Sequence, residues 1–231
     1  MHKDIIFTNF EEEAEFLEKP QPALNLIPDW YKEIDSYMGK TKKPDGQGKT
    51  MGTIKKCLPV FDCIGAGYLI LLPTDLWVSI DENGKQFFEW PSIRLVSFHP
   101  IDQAPNHPFV KPFDYPKFLN PWGIKTPKGY STLFVQPFHR ESLFTIMPGI
   151  VDTDKYFAPV NFPFVINDPK FEGLIPKGTP IAQVIPFKRD GWKMKIGNKD
   201  NIKEMKNIVT KLRNFIFDSY KNQWRVAKDY K

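Results

Sequence analysis

The residues able to do chemistry here are few and scattered. His99, Asp102, His107 and His139 are types that bind transition metals, because imidazole with a carboxylate suits several of them. Their spacing matches no metal motif. His99 and His107 lie in one Pro-rich stretch and His139 lies on another segment. They are expected to be hydrogen-bonding histidines, with no metal bound. His99, Gln103, His139, Arg140 and Glu141 make better sense as the polar lining of one pocket. Arg140 carries a planar fork of donors that matches phosphate or carboxylate bidentately. Its plainer alternative is a salt bridge to Glu141 or another acid. Asp152 and Asp154 follow an apolar run, and taken alone they are Asx-turn residues after a strand. No Walker loop, GxGxxG, GxSxG or HExxH is present, which removes kinase, dinucleotide-binding, α/β-hydrolase and zincin chemistry.

Those residues need a scaffold. The chain has 231 residues, 41% hydrophobic and 15% aromatic, with 20 Phe and 6 Trp. That is enough to bury a core. The 22 Pro are spread along the chain, which fits short strands and argues against long helices in its middle. Three sections are expected. Residues 1–52 form a Pro-broken arm, a short helix after Pro28 and a Gly- and Lys-rich loop from Lys40. Residues 53–190 form a β core. Residues 191–231 contain an amphipathic helix.

In the core the pattern predicts strands at Lys56–Asp62, Gly67–Leu72, Leu76–Ile80, Gln86–Trp90, Tyr130–Gln136, Ala158–Ile166 and Ile181–Phe187. Asp81-Glu82-Asn83-Gly84 predicts a hairpin turn. Lys128-Gly129 and Lys177-Gly178 predict tight turns into strands. His99 to Tyr115 reads as a long surface loop, a kind that is often functional. Trp30, Trp90 and Trp122 are expected to anchor the core or the arm. The C-terminal helix is expected from about Asn201 to Trp224. Ile202, Met205, Ile208, Val209, Leu212, Phe215 and Ile216 recur at helical spacing. Asn201 with Glu204 resembles a capping box. The apolar stripe is expected to pack on the β core, or instead on another subunit.

Net charge is +5, and many of the basic residues fall in the last thirty positions. A solvated helix face explains them better than a nucleic-acid surface. No stretch of about 18 apolar residues exists, so no membrane span is expected. The N-terminus has no apolar signal region, and Cys57 and Cys63 make no disulfide framework. Both Cys are expected to be small buried hydrophobes in a reducing cytosol.

Four segments in order resemble the trimeric dUTPase family and its β-clip relatives, over roughly Ile64 to Phe187. GAGYLILLPTDLWV resembles the first motif and IKTPKGYSTLFVQPFHRESL the second. PGIVDTDKY resembles the third, and NDPKFEGLIPKGTPIAQVIPF the Asn-to-Gln stretch that follows. The resemblance implies a mainly β, distorted β-clip barrel and a trimer. It makes Asp152 the water-activating carboxylate, Tyr156 a sugar contact, and Arg140 and His139 the phosphate side, with His99 and Gln103 at the rim. The second and third motifs would converge, across a subunit boundary where the trimer forms. Mg would be implied only for a nucleotide hydrolase. A second resemblance, carried by IPDWYK and NPWGIKTPKGYS, is to an uncharacterised family of bacterial and tailed-phage proteins. It extends over nearly the whole chain and implies no activity.

The departures weigh against ordinary dUTPase activity. Leu69 replaces the first motif's acid, and Phe138-His139-Arg140 replaces Arg-Ser-Gly. Lys155 is inserted between Asp154 and Tyr156, and a helix stands where the family has a Gly-rich arm. The deaminase branch needs a Glu that PVNFPFVIN lacks. The expected function is binding of a small anionic ligand, with nucleotide as the candidate class. The alternative is a non-catalytic structural or assembly protein, phage-related by its second resemblance, that uses the arm and the C-terminal helix for subunit contacts.

Overall fold

Short apolar runs cut by Pro and Gly can pair only over a few residues. In the computed structural model they do so, and every strand pair among the described residues is antiparallel. The structure describes residues 3–9, 16–38, 52–103, 107–108, 114–214 and 219–231. The chain divides into two units. The first holds residues 1–26, 66–189 and 230, and the second residues 27–65, 190–229 and 231.

The first unit is β. Its strands are β1 (Ile6–Asn9), β2 (Gln21–Pro22), β3 (Tyr68–Leu71), β4 (Leu76–Ile80), β5 (Gln86–Glu89), β6 (Val96–His99) and β7 (Tyr115–Phe118). They continue with β8 (Trp122–Lys125), β9 (Tyr130–Val135), β10 (Phe144–Ile146), β11 (Gly149–Val151), β12 (Phe162–Ile166), β13 (Gly173–Ile175) and β14 (Pro180–Lys188). They form four sheets, ordered β11-β9-β14-β3-β2, β10-β12-β7-β6, β13-β4-β5 and β1-β8. The mainly β class read from the sequence is what the chain adopts, as several sheets without a closed barrel among the described residues.

Turn chemistry acts as the residue types require. Asp81 Oδ1 accepts from the backbone N–H of Asn83 and Lys85, and Gly84 takes φ 79°, closing the β4–β5 hairpin. Gly129 and Gly178 sit at φ 87° and 81° ahead of β9 and β14, a conformation that costs glycine little. The core is an aromatic stack. The Phe118 and Phe164 rings lie 3.8 Å apart at 10°, with Phe144 and Phe88 edge-on to Phe164. Trp122 is buried, and Trp90 is half-buried against this cluster.

The second unit carries the helices α1 (Asp29–Glu33), α2 (Leu58–Ile64), α3 (Lys199–Asn214) and α4 (Ser219–Gln223). Tyr31 stacks on Phe61, and its hydroxyl donates to the Lys55 carbonyl. Arg225 makes a 2.7 Å ion pair with Asp62, and Lys228 reaches the same carboxylate at 3.1 Å. These contacts strap the C-terminal stretch to α2.

Several expectations are corrected. Residues 56–62, expected as a strand, contain the start of α2, with Pro59 in its first turn where a missing N–H costs nothing. Eight of the strands, β1, β2, β6, β7, β8, β10, β11 and β13, were not read from the sequence. Within the expected loop from His99 to Tyr115, the chain forms a short 3-10 turn at Ile101–Gln103, and Tyr115 begins β7. The reciprocal cap of the C-terminal helix lies three residues before the expected one. Asn198 Oδ1 accepts from the Asp200 and Asn201 N–H, and Asn201 Oδ1 accepts from the Asn198 N–H. Cys57 is exposed rather than buried. The Gly- and Lys-rich loop falls almost wholly outside the described residues, as do Phe215 and Ile216. Along the α3 stripe, Ile202, Met205, Ile208, Val209 and Leu212 are each partly exposed.

Candidate functional site

The residues singled out by sequence occupy three places in the first unit. The first is the start of β9. Register pairs Val151 of β11 with Thr132 of β9, which sets Asp152 beside Ser131. Ser131 Oγ donates to Asp152 Oδ1 at 2.7 Å. Asp154, two residues on, accepts the Gly129 N–H at 2.8 Å. Between the two acids lies Arg189, one residue past the end of β14. Its Nη1 is 2.7 Å from Asp154 Oδ1 and 3.1 Å from Asp152 Oδ1, and its Nη2 is 2.5 Å from Asp154 Oδ2. Beneath them three buried threonines share hydroxyls, with Thr153 Oγ1 2.7 Å from Thr126 Oγ1 and 2.8 Å from Thr132 Oγ1.

This arrangement fixes the charge state. The Arg189 guanidinium, helped by the Gly129 N–H, holds the Asp154 carboxyl down to about 2. The Ser131 hydroxyl, followed by Arg189, holds Asp152 below its ordinary value. Asp154 is almost enclosed at 4% exposure, whereas Asp152 is 52% exposed. A carboxylate kept ionised by a donor and a cation is a weakened proton acceptor, because a general base works best with its pKa near the operating pH. Tyr156 joins Asp152 through the turn, its N–H donating to the Asp152 carbonyl at 2.9 Å, and its side chain is exposed.

The second place is the turn that follows β9. His139 takes φ 54°, a left-handed conformation that reverses the chain there. Gln183, fully buried at the centre of β14, spans the sheet to hold this turn. Its Oε1 accepts the Phe138 N–H at 2.9 Å, and its Nε2 donates to the Ala66 carbonyl at 2.6 Å. Arg140 then lies half-buried, with Nη2 donating to the Leu26 carbonyl and Nε buried with no hydrogen-bond partner. No carboxylate among the described residues pairs with it, and Glu141 is exposed beside it without bridging. Burial pulls the Arg140 guanidinium below its ordinary value.

The third place is the β6–β7 edge. His99 Nδ1 lies 2.5 Å from Gln103 Oε1, and the His99 ring stacks on Tyr115 at 5.2 Å. Tyr115 also lines a cavity of about 290 Å³ floored by Phe88, Phe98, Pro116 and Ile166, with Lys85 and Asp114 at its polar margin. Asp102 is exposed in the 3-10 turn.

The structure thus brings Asp152 to Tyr156 and His99 to Gln103, and sets His139 next to Arg140. Within one protomer it does not bring these pairs together. Asp152 faces Ser131 at the start of β9, and Arg140 follows its far end. Ser131 to Val135 alone spans about 13 Å at strand rise. Among the described residues no cluster of three or more His, Cys, Asp or Glu could hold a metal ion. Sequence reasoning missed Arg189 and Ser131 as partners of the acids. The usable signal was the β14 run: extending it to Lys188 and pairing Lys188 with Tyr130 delivers Arg189 to Gly129, whose carbonyl accepts the Arg189 N–H.

No family model matches the chain, and no curated protein matches its sequence. Among solved structures, a mutant dUTPase from phage phi11 of S. aureus, described for its coordination of a structural Mg(II) ion, is 12% identical. The overlap covers 58% of this chain and 84% of that one with a TM-score of 0.31, too partial a superposition to bear on fold or chemistry. No helix among the described residues is long and apolar enough to cross a membrane.

Proposed function

We propose that this chain binds a small anionic ligand at the turn after β9, with Arg140 as the principal contact and nucleotides as the class to test first. The observation that carries the reading is a half-buried guanidinium with no carboxylate partner among the described residues. A cation out of water and without a counter-charge is costly, and an anion offsets that cost. Gln183 supports the reading by fixing the turn from behind, so that Arg140 is held rather than swinging free. Nucleotides come first because the second-motif resemblance runs through this same turn.

Hydrolysis by the ordinary dUTPase route is not part of the proposal. Asp152 is engaged by Ser131 and Arg189, and Arg189 supplies a cation where a divalent metal would otherwise be drawn to the two acids. Asp152 and Tyr156 enter the ligand site only if a neighbouring subunit delivers them to Arg140 and His139, as the family layout implies. His99 stacks on Tyr115, which lines a separate cavity, and neither His99 nor Gln103 is assigned to the anion.

Thermal shift against nucleoside mono-, di- and triphosphates, with and without Mg²⁺, tests the reading. A ligand at 100 times its dissociation constant adds about 2.7 kcal/mol of stability. The shift should vanish in Arg140→Gln while the ligand-free melting of that variant stays cooperative. Silence across phosphates, nucleotides and small carboxylates would remove the proposal.

A further inference from the structure

We propose that residues 191–198 and α3 form the interface through which one copy of this chain binds another, with the α3 helices parallel. The proposal does not depend on Arg140 or on any ligand.

The first observation is exposure. Trp192, Met194 and Ile196 alternate with Lys193 and Lys195 along a run that is neither helix nor strand, and they are 91%, 86% and 88% exposed. The run belongs to no strand among the described residues. It leads into α3, where Ile202, Met205, Ile208, Val209 and Leu212 are between 37% and 57% exposed. Taking roughly 150–250 Å² for a fully exposed large apolar residue, these side chains present on the order of 900 Å². The largest apolar patch on a monomer is about 300–600 Å². A stable protein interface takes about 800 Å² from each partner. The total these side chains present is about what one side of a dimer contact takes.

The second observation names the occupant. Ile202, Met205, Val209 and Leu212 are spaced three, four and three, which is the seam of a helix that packs on another helix. Ile202 and Val209 are β-branched residues at the same seam position, and Met205 and Leu212 are unbranched at Cβ at the other, the combination that in a parallel pair favours two strands. A helix lying on a lipid surface needs only a broad apolar stripe.

Charge sets the direction. At 100° per residue, Lys199, Lys203 and Lys206 fall on one flank of the seam, and Asn201, Glu204 and Lys211 fall towards the other. An antiparallel pair would set the lysine flank against itself. A parallel pair sets it against the mixed flank of Asn201, Glu204 and Lys211, which carries one acid and one base. Parallel helices about one axis also close a cyclic assembly without leaving a free patch.

Sedimentation velocity of the full chain across micromolar concentrations is the direct test. The wild type should associate, and Leu212→Asp and Val209→Asp should each weaken association on the order of 100-fold, as expected for a lost interface anchor. Both variants should still unfold cooperatively, and at concentrations low enough for the wild type to be monomeric their melting should match it, because both side chains are exposed within the protomer. Val209→Cys, in a chain where Cys57 and Cys63 are Ser, should cross-link to its own copy under mild oxidation if the helices are parallel. A wild type that stays monomeric overturns the proposal, as does an oligomer that neither Asp variant disturbs. A monomer that sediments with anionic phospholipid vesicles also overturns it and assigns the face to a membrane.

Discussion

Gln183 offers the sharpest test of how the sheet builds the turn after β9. Its side chain is fully buried and makes two bonds to backbone, accepting from Phe138 and donating to Ala66. Gln183→Leu keeps much of the shape but leaves both groups unpaired inside the protein. Each unsatisfied buried group costs about 1–3 kcal/mol, so the substitution should destabilise by about 2–6 kcal/mol. For a chain of this size that lowers the melting temperature by about 2–4 °C per kcal/mol. Gln183→Glu should be no milder. A carboxylate can still accept from Phe138, but it turns an acceptor towards the Ala66 carbonyl and buries a charge. Urea unfolding measures the loss, and amide exchange at Phe138 locates it. Because Arg140 follows this turn, ligand affinity should fall even under conditions where the variant is fully folded. A Gln183→Leu variant within about 0.5 kcal/mol of wild type, the scatter of neutral surface changes, would refute the reasoning.

Three further outcomes follow from the packing. Gly67→Ala should be severely destabilising in thermal melts, because at φ 68° an added Cβ would overlap the Val184 carbonyl oxygen of β14. Phe164→Ala should cost about 3–5 kcal/mol in urea unfolding, since its fully buried ring stacks on Phe118 and meets Phe144 and Phe88. Asp154 is a carboxyl whose pKa is depressed in the fold, so its contribution is present above its unfolded value of about 3.9 and is lost as pH falls through about 2. Asp154→Asn should therefore be less stable than wild type at neutral pH, with the gap in melting temperature narrowing between about pH 4 and pH 2.

What the sequence disclosed tracks how local the cause was. The Asp81–Gly84 hairpin and the two Lys-Gly turns were legible because an Asx turn and a left-handed glycine are decided by adjacent residues. β3, β4, β5, β9 and β14 were legible because their apolar runs are long enough to show. β7 was not, since its four residues include Pro116 and its pairing with β6 and β12 is set at a distance. Residues 56–62 misled because a short apolar run has no decisive period, and the informative residue was Pro59 near the helix start. At the candidate site, Asp152 was found but its partners were not. Ser131 and Arg189 reach it through the registers of β11 on β9 and of β9 on β14, and no motif spans those registers. The same gap explains the α3 stripe. Its periodicity was plain, but periodicity does not name what the stripe packs against.

The two proposals meet in one decisive comparison. In a single protomer Asp152 and Arg140 lie at opposite ends of β9, so a site that needs both must draw them from different copies. Leu212→Asp, which should yield monomers, then distinguishes two kinds of anion site. If Arg140 and its turn suffice, the monomer should bind the ligand with the affinity of wild type, and only Arg140→Gln should abolish binding. If Asp152 and Tyr156 of a second subunit complete the site, Leu212→Asp should lose binding together with association. Mixing Leu212→Asp with Arg140→Gln chains would then restore nothing. Isothermal titration on the wild type and both variants reads the outcome. Undiminished binding by a verified monomer would refute a shared site and leave Arg140 as the whole anchor.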